Sequence, residues 1–83
     1  MVEFVLKGIV TAAGAATLQP DGTHYDYLEI AQEGGNVRRL CDVLVRAGLD
    51  IGPCAIGEFR CRTAEPGASP ANEILAFRRA DGA

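Results

Sequence analysis

The stretch Gly34-Gly35-Asn36-Val37-Arg38-Arg39-Leu40-Cys41-Asp42-Val43-Leu44-Val45 decides the fold, because it reads as either of two elements. As a helix, Val37, Leu40, Cys41, Leu44 and Val45 fall on the i, i+3, i+4, i+7, i+8 stripe, with Asn36 as N-cap and Gly48 as terminator. As a strand, Val37, Cys41, Val43 and Val45 line one face, interrupted by Arg39; Arg38, Leu40, Asp42, Leu44 and Arg46 line the other. Three features favour the strand. A Gly-Gly pair between two patterned runs suits a two-residue hairpin turn, whose central residues need positive φ. Three valines in nine residues suit a pleated surface, and Arg38 and Arg39 would sit at the positive end of a helix dipole. The alternative is an α+β, ββαββ arrangement with residues 37–47 helical, packed on a four-stranded sheet that holds a small apolar ligand.

Outward from this hairpin the chain continues to read as strands. The partner strand is His24 to Ala31, preceded by the turn Pro20-Asp21-Gly22, in which Pro presets φ and Gly accepts a positive one. Val2 to Ala13 alternates as Val2, Phe4, Leu6, Gly8 and Val10, while Val5 and Ile9 make its second face partly apolar too. It dissolves into Ala12-Ala13-Gly14-Ala15-Ala16. Leu49-Asp50-Ile51-Gly52-Pro53 reads as a turn or short crossover, and Cys54 to Thr63 and Asn72 to Arg79 as two more strands. Gly8 and Gly57, inside the first and fourth strands, allow bends or bulges. Residues 64–71 lack periodicity and are expected to form a flexible loop. The expectation is a mainly β protein: a small five-stranded β-barrel, one domain over residues 1–83.

Composition narrows the class. At 83 residues, 48% hydrophobic and net charge −3, the chain has room for one packed domain and too much apolar content for disorder. No apolar run reaches the ~18 residues of a membrane span, and Met1-Val2-Glu3 lacks the basic start of a secretory signal, so the expected location is cytoplasmic. Residues 1–53 carry four basic and seven acidic side chains, whereas residues 54–83 carry four of each, the basic ones being Arg60, Arg62, Arg78 and Arg79. An acidic balance disfavours a polyphosphate partner but leaves a local basic strip. Cys41, Cys54 and Cys61 are an odd number, which points away from a disulfide framework. A domain this small buries only about two thirds of its unfolded surface, and self-association is the expected support.

The bent first strand Val5-Leu6-Lys7-Gly8-Ile9-Val10, the turn Asp21-Gly22-Thr23, and Ile51-Gly52 with Ile56-Gly57-Glu58-Phe59-Arg60 resemble the OB-fold superfamily, in particular its short single-stranded-DNA-binding type. The resemblance covers most of the chain and rests on strand spacing and glycines. It implies a ligand surface on the exposed face of the second and third strands, for oligonucleotides, oligosaccharides or proteins.

A two-residue Gly34-Gly35 turn would place Tyr25 opposite Leu44, Tyr27 opposite Asp42, Glu29 opposite Leu40 and Ala31 opposite Arg38. The resulting partner or ligand face comprises Tyr25, Tyr27, Leu40, Leu44 and Arg38. The opposite face, with Leu28, Ile30, Val37, Cys41, Val43 and Val45, and with His24, Asp26, Gln32 and Arg39 among them, would be the interior. Phe4, Phe59 and Phe77 join the core. Of the chemical alternatives, His24, Cys41, Cys54 and Cys61 have the composition of a zinc site but no close Cys pair, so no metal is expected. His24 with Cys41 would give a buried, blunted thiol, and Asp26, Glu29 and Asp42 form no paired-carboxylate pattern. No phosphate-binding glycine motif is present. The chain is therefore expected to be no enzyme, to use no cofactor, and to act as a self-associating, dimer-forming protein-interaction module. The alternative is an OB-type single-stranded nucleic-acid binder, stacking bases on Tyr25 and Tyr27 and contacting phosphates through Lys7, Arg38, Arg60 and Arg62.

Overall fold

The first strand has hydrogen-bonded neighbours along both edges, and the barrel closes on it. A computed structural model describes residues 2–49, 51–52 and 54–80, so Asp50 and Pro53 of the expected crossover lie outside the described residues. The strands are β1 (Val2–Ala13), β2 (Ala16–Gln19), β3 (Gly22–Gln32), β4 (Val37–Arg46), β5 (Ile56–Thr63) and β6 (Asn72–Arg79). Five of them form a ring in the order β1-β3-β4-β6-β5, with β2 appended beside β3. Every neighbouring pair is antiparallel except β4 with β6. The mainly β barrel is as expected, and the helical alternative for residues 37–47 is overturned: Val37–Arg46 is a strand, its backbone bonded to β3 and β6.

Closure depends on a close backbone contact. β1 pairs with β5 from Val2 to Ile9 and with β3 from Gly8 to Ala13, so Gly8 and Ile9 have partners on both sides. There Gly8 faces Gly57. A Cβ on Gly8 would lie 2.0 Å from the Ala31 carbonyl oxygen, and one on Gly57 2.1 Å from that of Arg78. Bulges supply the remaining curvature, between Val10 and Ala12 on β1 and opposite Arg60/Cys61 at the β5–β6 seam, rather than at Gly57 itself. β2 is the element without a sequence signal. Its four residues, Ala16-Thr17-Leu18-Gln19, alternate apolar and polar but are all exposed and too few to mark a strand, and they become one by folding back on Gly22–Tyr25 across the Pro20-Asp21 turn.

The core comprises Leu6, Val10, Leu28, Ile30, Leu40, Val43, Val45, Ile51, Phe59, Cys61 and Ile74, with Phe4, Tyr25, Leu49, Ala55 and Phe77 packed against it. Phe59 stacks on Phe77 with ring centroids 4.9 Å apart. Four of the expected interior residues, Asp26, Val37, Arg39 and Cys41, are exposed instead, while Leu40 is inside.

Two local events explain the exchange. Gly34 and Gly35 do take positive φ (89° and 90°), but the loop has three residues. The Gln32 N–H donates to the Asn36 carbonyl (2.7 Å) and the Gly35 N–H to the Gln32 carbonyl (3.2 Å). The pairs therefore run Tyr25↔Val43, Tyr27↔Cys41, Glu29↔Arg39 and Ala31↔Val37, one residue away from the expected register. In addition, Asp42 is left-handed (φ 53°), and the ladder skips Asp26 and Asp42. This break resets the alternation on both strands: Leu40, Val43 and Val45 all reach the core, as do Leu28, Ile30 and Tyr25.

Substituting Gly57 by Ala forces a methyl against the Arg78 carbonyl and should cost about 1–3 kcal/mol in a urea unfolding titration. Burial pushes the Cys61 thiol up to about 11, against a smaller opposing pull from Arg38, while Cys41 and Cys54 are exposed. Two of three thiols should therefore alkylate readily in the native protein, and the third only on unfolding.

Candidate functional site

The expected partner face does not assemble as one surface. Leu40 and Leu44 are 3% and 5% exposed, Leu40 within the core and Leu44 between His24 of β3 and Glu73 of β6. Tyr25 packs against the core. Tyr27 is half-buried beside the exposed Cys41, and the Arg39 guanidinium lies 4.1 Å above its ring while also reaching Glu29 at 3.5 Å. Arg38 lies 5.0 Å over the Phe4 ring. Both arginines thus use the faces of the chain's own aromatic rings.

Lys7, Arg60 and Arg62 do share one exterior surface, across β1 and β5, but each has a carboxylate. Lys7 is 3.7 Å from Glu58, Arg60 3.0 Å from Glu3, and Arg62 2.6 Å from Glu73, which also accepts from Arg46 at 2.8 Å. Glu73, on β6, thereby ties β4 to β5. Burial pushes its carboxyl upward, but the Arg46 and Arg62 hydrogen bonds outweigh that and hold it below its ordinary value.

A polar knot surrounds Asp42. One carboxylate oxygen meets His24 Nε2; the other accepts from Ser69 Oγ (3.0 Å) and the Ala71 N–H (2.9 Å). Beside it Asn72 Nδ2 donates to the Cys41 carbonyl (2.7 Å) and Thr63 Oγ1 to Asn72 Oδ1 (2.9 Å). The knot fastens the 64–71 loop to β4. The hydroxyl and the imidazole both point at Asp42 and not at each other, so no hydroxyl-to-imidazole bond is present to activate Ser69. The His24 hydrogen bond is the main reason that the Asp42 carboxyl lies below its ordinary value; burial opposes it, and Ala71 and Ser69 assist. Among the described residues no three His, Cys, Asp or Glu side chains gather as a metal site, and no helix is long and apolar enough to cross a membrane.

The surface with the clearest apolar character lies elsewhere. Across β5, β1, β3 and β4, the residues Ile56, Ile9, Ala31 and Val37 stand side by side in register. Ile56 is 53% and Val37 58% exposed. Ile9, Ala31 and Ile56 also line a groove of about 650 Å³ at the closure point, with Gly8 and Gly57 and with Lys7, Glu33, Glu58, Arg78 and Arg79. Part of this was legible in the apolar second face of β1. The row itself was not, because it needs the observed hairpin register and the two-sided pairing of β1. Compared with known protein families, characterised proteins and solved structures, the chain matches none.

A carboxylate whose folded pKa is depressed contributes stability above its unfolded pKa and loses it as pH falls through the folded one. Asp42 and Glu73 start from ordinary values of 3.8 and 4.5 and are lowered from them. The urea midpoint should therefore hold through neutral pH and fall steeply below about pH 4. In Asp42→Asn the midpoint should be lower at neutral pH and the acid-side fall smaller.

Proposed function

We propose that this chain is a non-catalytic, cytoplasmic protein-interaction module that self-associates, with a dimer as its smallest assembly. The observation that carries this reading is the exterior row Ile56–Ile9–Ala31–Val37, four apolar residues contributed by four strands. On a protein this small such a row leaves apolar surface exposed to water at one place. Charged residues of both signs border it, among them Lys7, Glu58 and Arg78 on one side and Glu29 and Arg39 on the other. An apolar centre with a polar rim is the usual anatomy of a protein interface. The three free thiols support a reducing compartment. The barrel is further proposed to be of the OB type, supported by its ring order and by β4–β6 being the one parallel pair.

The ion pairs favour a protein partner over a single-stranded nucleic acid. Lys7, Arg60 and Arg62 are each matched by a carboxylate, Tyr27 is covered by Arg39, and Tyr25 packs inward. Phosphates would have to displace these acids, and bases would have to displace Arg39.

Light scattering at micromolar concentration should give roughly twice the chain mass of 8.7 kDa. Val37→Asp should lower it to one chain, whereas Val5→Asp, at an exposed apolar position outside the row, should leave it unchanged. A clean monomer for the unaltered protein overturns the reading. Salt-sensitive retention of single-stranded DNA by that monomer would transfer it to the nucleic-acid alternative.

A further inference from the structure

The groove beside the apolar row has a counterpart at the other end of the molecule. Leu18 is 87% exposed, the highest value among the exposed large apolar residues, and it sits on β2, whose four residues are all exposed. β2 lies outside the ring and, among the described residues, is bonded as a strand only to β3. The adjoining turn, Pro20-Asp21, is exposed as well, and Asp21 is the only charged residue from Ala12 to Asp21. An apolar side chain near an acidic turn is thus held out from the barrel on a short hairpin.

The groove offers the complement. Ile9 and Ile56 supply apolar surface, and Lys7, Arg78 and Arg79 outnumber Glu33 and Glu58 among its charged residues. The hairpin cannot reach its own groove. Leu18 pairs with Thr23 at the start of β3, whereas the groove is lined by Ala31 and Gln32 at its end. Eight residues of strand separate the two, about 27 Å.

We infer that the groove receives the β2 hairpin of a second copy, with Leu18 against Ile9 and Ile56 and Asp21 toward Arg78. This rests on the self-association reading and specifies its contact. The contact joins unlike surfaces and, made reciprocally about a two-fold axis, forms twice in one dimer, each copy giving its hairpin to the other's groove. A pairing of like surfaces would instead place the apolar rows of two copies against each other and leave Leu18 uninvolved.

Complementation separates these arrangements. Leu18→Asp spoils the hairpin and keeps the groove; Ile56→Asp spoils the groove and keeps the hairpin. Both side chains are more than half exposed, so both variants should keep the far-ultraviolet circular dichroism of the parent. Each alone should weaken association by roughly a hundredfold or more in sedimentation equilibrium, the equivalent of losing one buried apolar side chain at each of the two contacts. Mixed in equal amounts, they should form a one-to-one pair, because the Ile56→Asp chain brings an intact hairpin to the intact groove of the Leu18→Asp chain. If the parent associates and Leu18→Asp associates equally well, the hairpin assignment fails and the self-association reading stands. If both variants are monomeric and their mixture stays so, Leu18 and Ile56 do not meet across the contact and the inference is again overturned. If the parent is itself a monomer, the self-association reading falls together with the hairpin contact.

Discussion

Where β1 passes between β3 and β5, three backbones come closer than any side chain beyond hydrogen permits. Gly8 lies across from Gly57, and a methyl on either would overlap a carbonyl oxygen. That single steric allowance lets one strand bond along both edges, and the ring follows from it. The same point sets the surface: at the crossing, Ile9 and Ile56 line the groove together with the two glycines. Closure and groove therefore share one set of residues, so a substitution there would affect both.

A second constraint acts within β4. Asp42 adopts the left-handed conformation that few residues other than Gly, Asn and Asp tolerate, and its carboxylate is held by His24, Ser69 and Ala71. The backbone reversal turns Leu40 and Val43 toward one core, and the carboxylate anchors the loop that precedes β6. Glu73, two residues beyond Ala71, then bridges β4 and β5 through Arg46 and Arg62. Two acidic residues thus hold the parallel seam, and they account for the acid sensitivity expected of the fold.

The strands and their class were legible because β1, β3, β4, β5 and β6 each carry a run of branched or aromatic residues bounded by turn chemistry. Faces were less legible. Alternation assigns sides only while the backbone stays regular, and one left-handed aspartate in mid-strand exchanged the sides of Leu40 and Cys41. The hairpin shows a similar limit: Gly34-Gly35 announces a turn, but whether Glu33 belongs to it shifts every cross-strand neighbour. Of the candidate site, Ile9 was visible as an extra apolar residue on the second face of β1. Its alignment with Ile56, Ala31 and Val37 depends on pairings up to 47 residues apart, as for Ile9 and Ile56, which no local pattern contains.

The two-sided pairing of β1 also imposes an order on events during synthesis. In the nascent chain β1 can bond to β3 as soon as residue 32 has emerged, but its other edge waits for β5 at residues 56–63. β6 comes later still, and it alone joins β5 to β4. Until then the nascent chain is an open four-stranded sheet, β5-β1-β3-β4, with β2 on its flank, presenting unpaired N–H and C=O groups and the residues of an unfinished core. The ring forms only once β6 is in place, so the interval before residue 79 emerges is when a chaperone or a neighbouring nascent chain has most to bind.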